Sequence, residues 1–365
     1  MKEDTSKVIQ LSDLCFGYRR KDPDSALFFG GQALDLARKL RYPKGEAQAL
    51  NDLAIIHLDR SAFAEADSAL RAALRIRTRI GDEEGVGAVH NKLGNLYQSQ
   101  LRLEEALEEN RRALAIFERL DQRAKSAIIL SNIAILEFNL GQNEQALKDH
   151  RTAAAVRGSL GDSVGLAISQ GNMANVMLAM GDTAEALTML QRAGGVFRAR
   201  NMELEYAVQA HNEAGVRLER GEVQRAAALY AEALAIREAA GDRKATASSL
   251  IGLADASARS GRMGEARRLA LRGLGIATAV GATSEQMNAY RTLARIHARS
   301  GHADSTLTYH ERFAALRDSV FSSENGRRIS DLQARLGIER KEQELQQQRA
   351  DINEKNLAIA ELDQR

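Results

Sequence analysis

Apolar residues recur along this chain at the three- and four-residue spacing of a helix face, as at Ala106, Leu107, Ala113, Leu114 and Phe117. The stripes are interrupted on a fixed schedule. One series of breaks runs Gly81-Asp82, Asp121-Gln122, Gly161-Asp162, Asn201-Met202, Gly241-Asp242 and Gly281-Ala282, forty residues apart, with Arg41-Tyr42 ahead of it. A second series, half a period away, runs Ser61, Leu101, Gly141, Gly181, Gly221, Gly261 and Gly301. Glycine ends helices because it enters the left-handed region without a Cβ penalty, and an aspartate after it caps the next helix. The spacing therefore predicts a repeat of two helices per forty residues. Seven units are complete, and Ala26 and Ala33 carry the phase into a degenerate eighth at the amino end.

Small residues mark where helices must touch. The first helix of each unit carries Ala54, Gly94, Ala134, Ala174, Ala214, Ala254 and Ala294 in register; Ala66, Ala106, Ala146, Ala186, Ala226 and Ala266 follow twelve residues later, and Ala73, Ala113, Ala153, Ala193 and Ala233 seven beyond those. With leucine before the first of them, as in Leu53-Ala54 and Leu93-Gly94, this resembles the tetratricopeptide repeat family over about residues 6 to 320. The resemblance implies an all-α, right-handed superhelical solenoid of antiparallel helix pairs. Units of forty residues rather than 34, lacking the usual closing proline, look like those of kinesin light chains and of the Leu-Gly-Asn repeat proteins that bind partner peptides. The large residue expected after the first small one survives as Tyr97 but becomes His57, Glu137, Met177 or Arg217 elsewhere.

Stacked helix pairs present their first helices to a concave face. The positions expected there carry Asn51, Asn91, Asn132, Asn172 and Asn212, with Asn95 and Asn175 just after the small residue. A carboxamide both donates and accepts, so such a row can pair with the backbone of an extended chain without demanding a side-chain sequence. The alternative is that these asparagines bond helix carbonyls or one another. Toward the carboxyl end the same face turns basic, with Arg291, Arg295 and Arg299. These suit an acidic side chain or a terminal carboxylate, or, alternatively, Arg295 pairs with Asp255.

Composition narrows the function classes. Lys and Arg number 51 against 49 Asp and Glu, so no global field recruits nucleic acid or an anionic membrane. One cysteine excludes an internal disulfide framework and leaves the compartment open, cytoplasmic or periplasmic. No run is long and apolar enough to span a bilayer, and the amino terminus lacks the core of a signal peptide. No catalytic set, metal set or cofactor site is expected. His297, His302 and His310 are the nearest approach to a ligand cluster, but His297 and His310 fall at the family's two aromatic positions and are expected to face each other in packing. Glu137 and His150 occupy the same pair of positions, where a buried hydrogen bond is expected rather than acid–base catalysis.

After Ser322 the forty-residue phase stops, giving an expected division into a solenoid at 1–322 and a long, coiled-coil-like helix at 323–365. Ile338, Leu345, Ile352 and Ile359 recur every seven residues and Leu362 adds one apolar position, a seam weakened by Lys341, Gln348 and Lys355. Weak homodimerisation is the most such a seam supports. The stretch from Asp331 to Leu345 resembles the connector of bacterial tetratricopeptide sensors, where the array leads to a histidine-kinase or helix-turn-helix output, so the natural chain is expected to extend past both ends. Three readings follow: a peptide- or protein-binding sensor module of a signal-transduction protein, a free-standing scaffold, or the regulatory part of an enzyme whose catalytic domain lies elsewhere.

Overall fold

A computed structural model describes residues 4–19 and 21–319. Those residues form the helices α1 (Thr5–Tyr18), α2 (Pro23–Lys39), α3 (Pro43–Asp59), α4 (Phe63–Arg79), α5 (Glu83–Ser99), α6 (Leu103–Arg119), α7 (Arg123–Asn139) and α8 (Asn143–Ser159). They continue with α9 (Ser163–Met180), α10 (Thr183–Ala199), α11 (Glu203–Glu219), α12 (Val223–Ala239), α13 (Arg243–Arg259), α14 (Met263–Ala279) and α15 (Thr283–Arg299). A last helix, α16, covers 303–319. The chain divides into two compact units, Met1–Val216 and Arg217–Arg365, with the boundary inside α11. The described residues of each form an all-α stack of antiparallel helix pairs, a repeat solenoid.

The turns obey one rule throughout. A residue with positive φ recurs every twenty positions, from Arg41 and Ser61 to Gly281 and Gly301. The next residue donates its N–H back across the turn, as Asp82 does to the Arg77 carbonyl at 2.9 Å and Asp162 does to that of Arg157 at 2.9 Å, closing the helix end. Aspartate then starts the following helix: Asp82, Asp162, Asp182 and Asp242 accept from the N–H of Gly85, Gly165, Glu185 and Ala245. Five of the left-handed positions are not glycine, Leu101 (φ 61°) among them.

The alanine series are the contact points. Ala54, Ala134, Ala174, Ala254 and Ala294 are fully buried, as are their partners such as Ala66, Ala106, Ala146 and Ala186. Gly94 is tighter still. A Cβ there would lie 2.2 Å from Nδ2 of Asn110, itself 1% exposed and bonded to the Ala106 carbonyl at 2.9 Å. Between these contacts, Leu70, Leu93, Leu96, Ile129 and Leu136 fill the core of the first unit, each worth about 2 kcal/mol of transfer free energy. In the second unit Leu293 and Ile296 pack against Ala254, Ala266 and Ala270.

First helices of consecutive pairs also lie directly against each other, α1 on α3 and α7 on α9 in the first unit, α13 on α15 in the second. Their outer side, away from the second helices, is the face on which the asparagine series stands. At the far ends of the second helices, Arg77, Phe117, Arg157 and Phe197 alternate at one register, all buried. Arg157 satisfies its guanidinium by donating to the Gly165 carbonyl at 2.7 Å and Ser169 Oγ at 2.9 Å. In the second unit Arg237 does the same with Ser249 at 2.7 Å. Burial lowers the pKa of both guanidinium groups, and nearby aspartates counter it.

Candidate functional site

The asparagines predicted for the groove of the first unit are all half-buried, and four of them meet in pairs across neighbouring first helices. Asn132 on α7 donates through Nδ2 to Asn91 Oδ1 on α5 at 2.9 Å. Asn212 on α11 donates to Asn175 Oδ1 on α9 at 3.0 Å. Each pair therefore uses one N–H and one lone pair and leaves both amides with a donor and an acceptor to spare. Asn51 sits beside Asp52 on α3 and helps hold its carboxylate. Asn95 and Asn172 share the same face. Mutual bonding thus accounts for part of the recurring asparagine, as the alternative reading had it, without closing the face.

Around α1, α3 and α5 the same face opens into a cavity of about 700 Å³. It is lined by Val8, Ser12, Asn51, Asp52, Arg77 and Lys92, and Ile9 and Phe16 stand at it more than half exposed. Its polar floor is a chain of bonds. Gln48 donates to Asp52 Oδ1 at 2.8 Å and accepts from Arg77 Nη2 at 3.0 Å, and Arg77 Nη1 donates to Asp82 at 2.6 Å. Arg77 Nε is buried with no partner. Burial pushes the Asp52 carboxyl up to about 6, against the pull of polar neighbours and of Arg77. Burial likewise lowers the Lys92 ammonium, helped by Arg19 and opposed by Asp52 and Asp59. The cavity was not read from the sequence. Its signal is that charges, Asp52 and Lys92, take the register that asparagine holds in the next three units.

In the second unit the three candidate arginines are engaged by the chain itself. Arg295 reaches Asp255 at 3.2 Å, the ion pair kept open as an alternative; Arg291 donates to Asn288 at 3.0 Å, and Arg299 to the Ala258 carbonyl near the end of α13 at 3.2 Å. Arg259 meets the Leu218 carbonyl in the same manner at 2.9 Å. The seam residues Ile338, Leu345, Ile352, Ile359 and Leu362 lie outside the described residues.

Two packing expectations need correction. His297 faces Tyr309, stacked at 5.4 Å, and His302, edge-on at 5.6 Å, while His310 is exposed. Tyr309, one residue earlier on α16, offers the larger ring to the His297 pocket. Glu137 and His150 are buried at 2% and 1% exposure, yet Glu137 Oε2 and His150 Nδ1 have no hydrogen-bond partner. Burial and the adjacent Asp149 carboxylate push Glu137 up to about 7, while burial and Arg157 hold His150 down at about 4. With so low a pKa the imidazole stays neutral, so no ion pair forms. Burial also pushes the Cys15 thiol up to about 11, which leaves it un-ionised and unreactive.

Comparison with known proteins bears on the repeat. Residues 45–119 and 125–198 match the family model of the tetratricopeptide repeat. Those residues carry tetratricopeptide repeats. Among solved structures, the apo form of the quorum sensor NprR from B. thuringiensis is 14% identical, with a TM-score of 0.66 and 86% of each chain covered. A Rap protein complexed with competence and sporulation factor is 13% identical, with a TM-score of 0.61, over 87% of this chain and 99% of that one. BtubC (BKLC) from P. vanneervenii is 22% identical, with a TM-score of 0.53, over 60% of this chain and 92% of that one. Identities this low establish a common fold and nothing finer. No curated protein matches the sequence. No described helix is long and apolar enough to cross a membrane.

Proposed function

We propose that this tetratricopeptide array binds a peptide or an extended protein segment along the first helices of its first unit. In this reading it is the sensor or interaction module of a bacterial signal-transduction protein, and performs no chemistry of its own. The observation that carries the reading is the pairing of Asn91 with Asn132 and of Asn175 with Asn212. Two amides locked to each other are pre-oriented, and their remaining donor and acceptor match the N–H and C=O of a passing strand. The likeness to a quorum sensor and to a Rap protein complexed with competence and sporulation factor supports a sensory role over a purely scaffolding one.

Affinity capture from the source cell's lysate tests this, comparing the intact protein with one carrying Asn91→Ala, Asn132→Ala and Asn172→Ala. Each lost backbone hydrogen bond costs about 1 kcal/mol, so recovery of the partner should fall by about tenfold or more. Equal recovery by the two proteins would count against the asparagine face.

A further inference from the structure

On the first-helix face of the first unit, the stretch from α7 to α11 has a character that the asparagines do not explain. Ile128, Ile168 and Val208 stand one helical turn before Asn132, Asn172 and Asn212, and they are 47%, 40% and 43% exposed. Residues four apart share a helix face, so the three apolar side chains form a row parallel to the asparagines. Ile128 is held to that face from both sides: Lys125 before it bonds Glu84 of α5, and Asn132 after it bonds Asn91 of α5. One turn beyond the asparagines the row reads Ile135, Asn175 and Gly215. None of these positions is charged, in a chain of which 27% of residues are. The same registers on α3 and α5 carry Asp52 and Lys92.

We propose that α7, α9 and α11 form the side-chain-reading part of the groove, and that they take an uncharged segment with an apolar residue at every third position. The inference rests on the reading that this face holds an extended chain. The absence of charge from these three registers selects the segment's chemistry, because a charged side chain laid directly over the isoleucines would be stripped of water against an apolar surface. The period follows from geometry. Packed helices lie about 8–10 Å apart, and a polyproline II chain advances about 9.3 Å in the three residues that bring it back to the same face. A β-strand covers a similar distance in three residues but then presents the opposite face.

The test is selection from a library of short peptides on the whole protein, followed by binding measurements on the peptides recovered. Leucine, isoleucine, valine or methionine should be enriched at every third position, and lysine, arginine, aspartate and glutamate depleted there. The double variant Ile128→Asp, Ile168→Asp should keep its helical circular dichroism, both sites being exposed. It should bind the selected peptides at least about tenfold more weakly, and select lysine at the matching positions instead. Peptides that depend on Asn91, Asn132 and Asn172 but show charged, random or alternate-residue side-chain preference would overturn this inference and leave the proposed function standing. Failure of the protein and its variants to retain any peptide would overturn both.

Discussion

The groove face of the first unit has two ends built from the same backbone and opposite chemistry. Around α3 and α5 it is charged and hollow, with Asp52 and Lys92 at the register that asparagine holds elsewhere, a bonded chain running from Asp82 through Arg77 and Gln48, and a cavity of about 700 Å³. From α7 to α11 it is neutral, with isoleucine and valine standing exposed beside paired amides. The repeat sets where a side chain points, through the forty-residue register, and leaves its character free to change from unit to unit. A solenoid of this kind can present different chemistry at each step of the same face because most of the packing that forms the stack lies on the other side. The stack is held by the alanines on the other side.

Substitutions can break that comparison, and the largest effect is expected where the two ends differ in packing. Alanine is the normal residue at the position of Gly94, as Ala134 and Ala174 show, but Gly94→Ala should destabilise the first unit by about 3–4 kcal/mol, overpacking and the lost amide bond together. The added Cβ would lie 2.2 Å from the buried Asn110 amide and displace its bond to Ala106. Urea unfolding checks this, and Gly94→Ala combined with Asn110→Leu should recover most of the loss, because Leu70 and Leu190 hold the equivalent place in other units.

The second contrast is in pH. Asp52 titrates at about 6, above its ordinary 3.8, so its folded form favours the proton. The stability it contributes is complete below about pH 4 and is lost as the pH rises through 6, by as much as about 2–3 kcal/mol. Asp52→Asn should remove that part of the slope and be relatively more stable at pH 7 than at pH 4. Groove substitutions in the neutral stretch, such as Asn132→Ala, should leave the slope as it is; a slope unchanged in Asp52→Asn would show that the carboxylate is not desolvated.

The smallest effect concerns the turns. Leu101 closes α5 with φ 61°, where Gly141 and Gly181 close α7 and α9. Leu101→Gly should stabilise by about 1 kcal/mol, read as a rise in the urea midpoint at constant slope, whereas Gly141→Leu should lose a similar amount.

Most of the architecture was legible because its signals are local and repeated. A left-handed residue every twenty positions and an alanine at each helix crossing are demanded by backbone geometry and by contact distance, and both leave the same mark in every unit. The asparagine positions were legible for the same reason. Their pairing was not, since it depends on which neighbouring helix brings an amide within 3 Å, and Asn91 and Asn132 stand at different places in their own units. The ring against His297 was misread by one residue for a similar cause: α16 sets Tyr309, rather than His310, against it.

By itself, then, the order of residues determined the helices, their ends, their pairing and the register of the groove, because each follows from interactions within about one repeat. Only the folded structure decided which groove side chains are already engaged, where charge gathers around a cavity, and which apolar residues are left facing out. Those properties belong to several helices at once, and a side chain's availability is set by what packs beside it.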